Sequence, residues 1–385
     1  MSVSAINAQD TKGTDFWLTF GRNSNKIYNE VDLQIRIVGG DVKTHVILEF
    51  TGLSAPNDEF DVSPQQVYTY PLSPAQKQAV YNEIADKSNK SIHVTSDNAI
   101  TAYAVNLCES TTDATNILPI TALGTEYYHI SYTPLSTRLD AYAVVATEND
   151  TEIFYNGSKV ETLNTGQVYY YTSSSDMTGA HITSTPDKPI AFFAVTQGAQ
   201  IPAGYVSIDC LFQQLAPVHT WGYNFFVPVS HLGKDIVRIV ASKDNTKIDQ
   251  WGGTMLYPTG GQTGYIIDAG QFIELEVSLA NDGCYIEADK PIGVCTYLTS
   301  IQYTGLGISD PSQAWLPAIE QTAPNALIAP FISAGSVINQ HYAIVMAPAG
   351  AALNTEVSIG GGTPISLLGE TWYNNSDAKM SFCHI

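Results

Sequence analysis

Charge is scarce in this 385-residue chain: 14% of the residues are Asp, Glu, Lys or Arg, against roughly 25% in an average soluble domain. What charge there is leans one way, 37 acidic residues against 17 basic, for a net charge of −20. A field of that sign repels phosphate backbones and anionic bilayers, so nucleic-acid binding is not expected. No run of 18 apolar residues occurs, and no membrane insertion is expected. Five cysteines are too few to replace a core. No two histidines stand four apart around a Glu, and there is no G-x-S-x-G elbow or phosphate loop. Helix signals are sparse. The exception is Ser73 to Asp86, where Ser73 suits an N-cap, Pro74 the first helical position, and Ala79, Val80 and Ile84 one face.

What is present is Ser, Thr, Asn, Gln, Gly and 22 tyrosines. That mixture suits sheets with Thr- and Tyr-rich outer faces. The stretch His181 to Gln197 predicts two strands joined by a turn at Pro186-Asp187-Lys188-Pro189. It recurs at residues 92–105 and 285–297, with Asp97, Asp187 and Asp289 as equivalent points. Four further landmarks recur in order. A lead strand opens each unit (Asp15 to Phe20, Glu126 to Ile130, Asn224 to Val227, and more weakly Ala326 to Ala329). An apolar strand follows (Leu33 to Val38, Tyr142 to Ala146, Val237 to Ala241, Ala343 to Ala347). Next come a strand opened by Thr (Thr44, Thr151, Thr246, Thr355) and one opened by Gln (Gln66, Gln167, Gln271), whose fourth copy is expected at Glu370 to Trp372.

The expected fold is therefore all-β: tandem repeats of about 100 residues, each a packed β-sandwich-like unit. Units of that length exceed a propeller blade of roughly 40–50 residues, so propeller-like closure is the alternative. The divisions are a leader remnant or tail at 1–13, repeats at 14–118 (with the helical insertion near 73–86), 119–215 and 216–317, and an incomplete repeat at 318–385. The small residues and Ala8-Gln9 at the start read as the end of a signal peptide, hence as a secreted or cell-surface chain. An apolar Leu/Pro linker between repeats predicts units that pack rather than swing. The fourth repeat stops about where its turn is due, with Cys383 corresponding to Cys284, and its unfinished sheet offers an edge for assembly.

Cys284 and Cys295 flank the third Asp turn and become cross-strand neighbours, a candidate disulfide, if that turn closes a hairpin. Glu148-Asn149-Asp150 and Asp244-Asn245 carry oxygen donors of the kind calcium takes, yet both sit where a turn already needs Asn and Asp. No metal or cofactor site is assigned, and no catalytic residue either. The insertions after the second and third Asp turns hold exposed-looking residues in equivalent places: Tyr205 in one, Tyr303 and Asp310 in the other. Loops on one side of a repeat array commonly form its binding face, and Tyr offers contact area with a hydroxyl at low entropy cost.

The ordered set Gly13-Thr14-Asp15-Phe16-Trp17, Asn149 to Ile153, Gly166 to Tyr169, Asp187 to Ala191 and Leu215 to Gly222 resembles the IgG Fc-binding protein N-terminal domain family, as a bacterial member. The resemblance spans roughly residues 13–330. It implies a secreted or surface protein and brings no catalytic residues. The leading expectation is a non-enzymatic extracellular binding or adhesion module for a protein or glycan ligand, such as mucin or a host glycoprotein. A structural subunit of a surface fibre or particle is the second, and a carbohydrate-active enzyme the third.

Overall fold

The structure is a computed structural model that describes residues 11–258, 265–305, 309–323, 325–326, 328, 341–359 and 362–385. Residues 1–10 of the leader or tail expected at 1–13, and two positions of the fourth lead strand, 327 and 329, lie outside the described residues, while Lys12 and Gly13 already belong to the first lead strand, Lys12–Leu18. Among the described residues the fold is all-β with one short α-helix, and its strand pairs are antiparallel except Phe20–Gly21 with Tyr81–Asn82, which is parallel.

Repeats 1 to 3 share one topology. A first sheet orders the lead strand, the first half of the Asp-turn segment, the Thr strand and a following strand. In repeat 2 these are Glu126–Tyr128, His181–Ser184, Thr151–Tyr155 and Ser158–Leu163. A second sheet orders an exit strand, the second half of the Asp segment, the apolar strand and the Gln strand. There these are Asp209–Gln214, Ile190–Ala199, Asp140–Ala146 and Val168–Ser173. The expected hairpin is thus corrected. The two halves of the Asp segment never pair with each other. In repeats 1 and 3 they are one continuous strand, Ile92–Leu107 and Cys284–Leu298, which leaves one sheet and enters the other. Asp97, Asp187 and Asp289 mark the corner. A strand that switches sheets must break its ladder somewhere. Pro189 and Pro291 have no N–H to lose there, and their carbonyls accept from Thr147 (2.6 Å) and Ser242 (2.5 Å).

The same geometry overturns the disulfide. Cys284 and Cys295 stand at separate points of one extended strand, both as buried free thiols. Cys284 belongs to the core of repeat 3, and Cys295 to the core of repeat 2, where its sulfur takes a bond from Gln313 Nε2 at 3.4 Å.

Each core is shared with the next repeat. The core of repeat 1 takes in Ala141, Val145, Tyr170 and Phe193 of repeat 2. That of repeat 2 takes in Ile236, Val240 and Tyr297 of repeat 3, and that of repeat 3 takes in Met380 and Phe382. This explains why Asp140–Ala146 reads as a near-continuous apolar run and is buried throughout. Its sheet has a core on both faces, so alternation disappears. Outer rings of the lead strands meet the next repeat as well: Trp17 lies against Gly166, Tyr128 against Gly270, and Phe226 is 5.9 Å from Phe382. The linker leucines Leu118, Leu215 and Leu316 are buried, followed each time by a 3-10 turn.

The helix is shorter than expected. Ser73 accepts from Gln76 N and Pro74 begins the helix, but it ends at Val80 and Ile84 is 78% exposed. The fourth repeat is also reassigned. Met380–His384 pairs with Ile344–Pro348 just as the Gln strand Phe272–Ser278 pairs with Lys234–Ala241. Gln65, Gly166, Gly270 and Lys379 all have positive φ at the turn before that strand. Met380–His384 is therefore the fourth Gln strand, and Cys383 is not the counterpart of Cys284. Glu370 to Trp372 lies before it and is not in a strand.

Candidate functional site

The exit strands Thr112–Ile117, Asp209–Gln214 and Ser312–Trp315 come from three different repeats and pack against one another. Side chains stitch them together. Asp113 accepts from Phe212 N (2.9 Å) and Gln313 N (3.3 Å), so one carboxyl joins all three repeats. Asp209 accepts from Thr112 N at 2.6 Å, and Thr115 Oγ1 accepts from Gln213 and Gln214, each at 2.9 Å. Burial, above all, pushes the Asp113 carboxyl up to about 7. Burial and then the neighbouring charges of Asp113 and Asp310 push Asp209 up to about 9. The chain reaches these strands through the loops after the crossing segments, so those loops gather at one end of the junction.

Here the expected residues meet. The Tyr205 and Tyr303 rings stand edge to face with centroids 4.9 Å apart. Tyr205 is 37% exposed and Val206 beside it is exposed too. Tyr303 donates to Glu276, and Lys234 Nζ lies 5.5 Å above its ring and 3.1 Å from Glu276. Burial, with the Glu276 bond next, raises the Tyr303 phenol, which keeps it neutral and donating. Between the loops, Ser300 donates to Ser207 O (3.1 Å), Ile301 N to Ser207 Oγ (2.8 Å) and Ile201 N to Ser300 Oγ (2.8 Å). Asp310 is exposed, bonds Ser207, and stands near enough to Asp209 for the two charges to interact. All three of Tyr205, Tyr303 and Asp310 thus border one cross-braced surface. Lys234, Glu276 and Asp209 were missed, because nothing local marks a strand residue that supports a loop from another unit.

Two other polar clusters among the described residues make structural bonds. Ser131 Oγ (2.8 Å) and His129 Nε2 (3.1 Å) both bond Asp140 rather than each other, and all three are fully buried. No proton path from hydroxyl to imidazole exists in that arrangement. The turns considered for calcium hold an ammonium instead. Lys188 Nζ bonds the carbonyls of Asn149 (2.7 Å) and Asp150 (3.0 Å), and Lys290 Nζ those of Asp244 (2.8 Å) and Asn245 (2.5 Å). Among the described residues no three His, Cys, Asp or Glu side chains converge as metal ligands.

Sandwiches in series, with cores shared between neighbours and braced loops at a three-way junction, define a β-repeat protein whose specific features lie on its surface. The IgGFc binding protein family model matches residues 8–173 and 113–381, and the chain belongs to that family. A human IgGFc-binding protein is 30% identical over 201 residues, covering 47% of this chain and 4% of that protein. Among solved structures, an anti-sigma factor domain-containing protein aligns with 79% of this chain and 82% of its own at a TM-score of 0.16 and 8% identity, which carries no argument.

Proposed function

We propose that the chain is a non-enzymatic, extracellular or cell-surface binding module. It recognises a protein or glycan ligand, such as mucin or a host glycoprotein, through the loops at residues 200–208 and 299–305, with Asp310 beside them. The observation that carries this is the Tyr205–Tyr303 pair, two rings from separate repeats held edge to face at the surface. Edge-to-face pairs fix ring orientation beyond what area burial gives. A rigid, amphipathic tyrosine pair loses little entropy on contact. The name of the human relative makes immunoglobulin Fc one of the proteins to test, since that name concerns the human protein. The test is a panel of mucins, glycans and IgG Fc against the wild type and a Tyr205→Ala/Tyr303→Ala variant. The reading predicts a ligand bound by the wild type and released by the variant.

A further inference from the structure

The outward face of the first sheet changes character in repeat 3. Alternation along Thr246–Trp251 turns Lys247, Asp249 and Trp251 outward, and along the crossing strand Tyr285 and Glu287. Trp251 and Tyr285 are direct cross-strand neighbours, and their rings stack at 5.3 Å and 21°. Trp251 is still 40% exposed.

In repeats 1 and 2 the position of Tyr285 is His93 and His181. Each lies 2.9 Å from a lead-strand carboxylate, Asp15 or Glu126. Repeat 3 has lost both partners: Tyr285 donates instead to Asn224 Oδ1 at 2.9 Å. The carboxylates on this face are Asp249, Glu287, Asp289, which accepts from Lys247 N at 2.8 Å, and Glu320, which accepts from Asn224 N at 3.1 Å. Lys247 is the one base on these strands' outer face, and it is held by Asp249 at 2.6 Å. Glu287 has no cation within ion-pair distance among the described residues.

An exposed indole on the same sheet face as one unpaired carboxylate, Glu287, has a specific complement. We propose that this face docks a cationic partner, an Arg-bearing segment of another protein, with a guanidinium laid on Trp251 and its charge met by Glu287. Trp is the strongest cation–π acceptor among side chains, and the planar guanidinium both stacks and bonds carboxylates. The net charge of −20 steers such a segment in. A neutral sugar stacked on the indole can donate hydroxyls to the carboxylates but brings no positive charge to offset theirs, and an anionic glycan is repelled by them.

The test is calorimetric titration of the whole chain with a capped Gly-Arg-Gly-Arg-Gly peptide, its Gln-for-Arg counterpart and a neutral cello-oligosaccharide. The Arg peptide should bind, and Trp251→Ala should weaken it about tenfold or more. Glu287→Gln, a conservative surface change, should weaken it as well, and so should salt raised from about 0.05 M to about 0.5 M. Tyr205→Ala/Tyr303→Ala should leave it unchanged, which keeps this site separate from the loop site. The proposal is overturned if the Arg peptide does not bind, if Trp251→Ala binds it like the wild type, or if the oligosaccharide binds in its place.

Discussion

Replacing Arg238 by alanine probes the seam between repeats 2 and 3. Arg238 is 3% exposed. Its Nε bonds Glu274 at 2.8 Å, and its Nη1 bonds Asp176 (2.8 Å), Ser131 O (2.8 Å) and Thr178 Oγ1 (2.9 Å). The guanidinium also lies 4.1 Å from the Tyr132 ring and 4.8 Å from Phe272. Burial alone would raise Asp176; the Arg238 charge, with hydrogen bonds from Thr178, overcomes it and holds the carboxyl at about 2. At about 1.4 kcal/mol per pKa unit, that depression is worth roughly 2.5 kcal/mol at neutral pH. Because the folded value lies below the unfolded one, this stability is present above about pH 4 and lost as pH falls towards 2. Removing one partner of a buried ion pair also strands the others, so Arg238→Ala should cost about 3–5 kcal/mol in total. Urea unfolding followed by circular dichroism measures the loss, and hydrogen exchange should localise it to Tyr132 and Thr178. Arg238→Lys should fall between, since lysine keeps the charge but neither the fork nor the stacking. A cost below about 1 kcal/mol, the range of an exposed pair, would refute the reasoning.

Two further outcomes are expected. Gly179→Ala should destabilise by about 3 kcal/mol, because φ is +92° and the added carbon would sit 1.8 Å from Gly270 O. Gly157→Ala, at φ +78° with open space around it, should cost about 1 kcal/mol, and thermal melts compare the two. At the junction, Asp113 and Asp209 have folded pKa values above their unfolded ones. Their contribution is complete below about pH 4 and declines as pH rises towards 7 and 9. Asp209→Asn keeps the acceptor for Thr112 N without the charge, so it should be more stable than the wild type at pH 8 and flatten that decline. Parallel unfolding curves for the two proteins from pH 5 to 9 would count against it.

Much of the architecture was legible because the repeat is written in strand chemistry. Thr151-Glu152-Ile153 and Val168-Tyr169 fall in strands where their pattern predicts, with Gln167 just before its strand, and the lead strands form at Lys12–Leu18, Glu126–Tyr128 and Gly222–Val227. The Asp segment was misread for a physical reason. A turn inside a hairpin and a corner between two sheets use the same Asp, Lys and Pro, and the difference lies in which strands the halves pair with. That information is non-local, and the disulfide reading failed with it. Tyr205 and Tyr303 could be picked out because equivalent loops gave them equivalent positions. Their support by Lys234 and Glu276 could not, since those residues sit on strands of ordinary alternation. Trp251 did carry a signal, in the outward-facing series Lys247, Asp249, Trp251.

The most direct test of the account measures ligand affinity for the Tyr205→Ala/Tyr303→Ala variant against the wild type, using whichever mucin, glycan or Fc the wild type binds on the panel. Loss of an aromatic hot spot costs about 2 kcal/mol, so affinity should drop about 30-fold while the melting temperature stays within a few degrees. A wild type that binds nothing on the panel, or a double variant that binds as tightly as the wild type, would contradict a binding function at these loops.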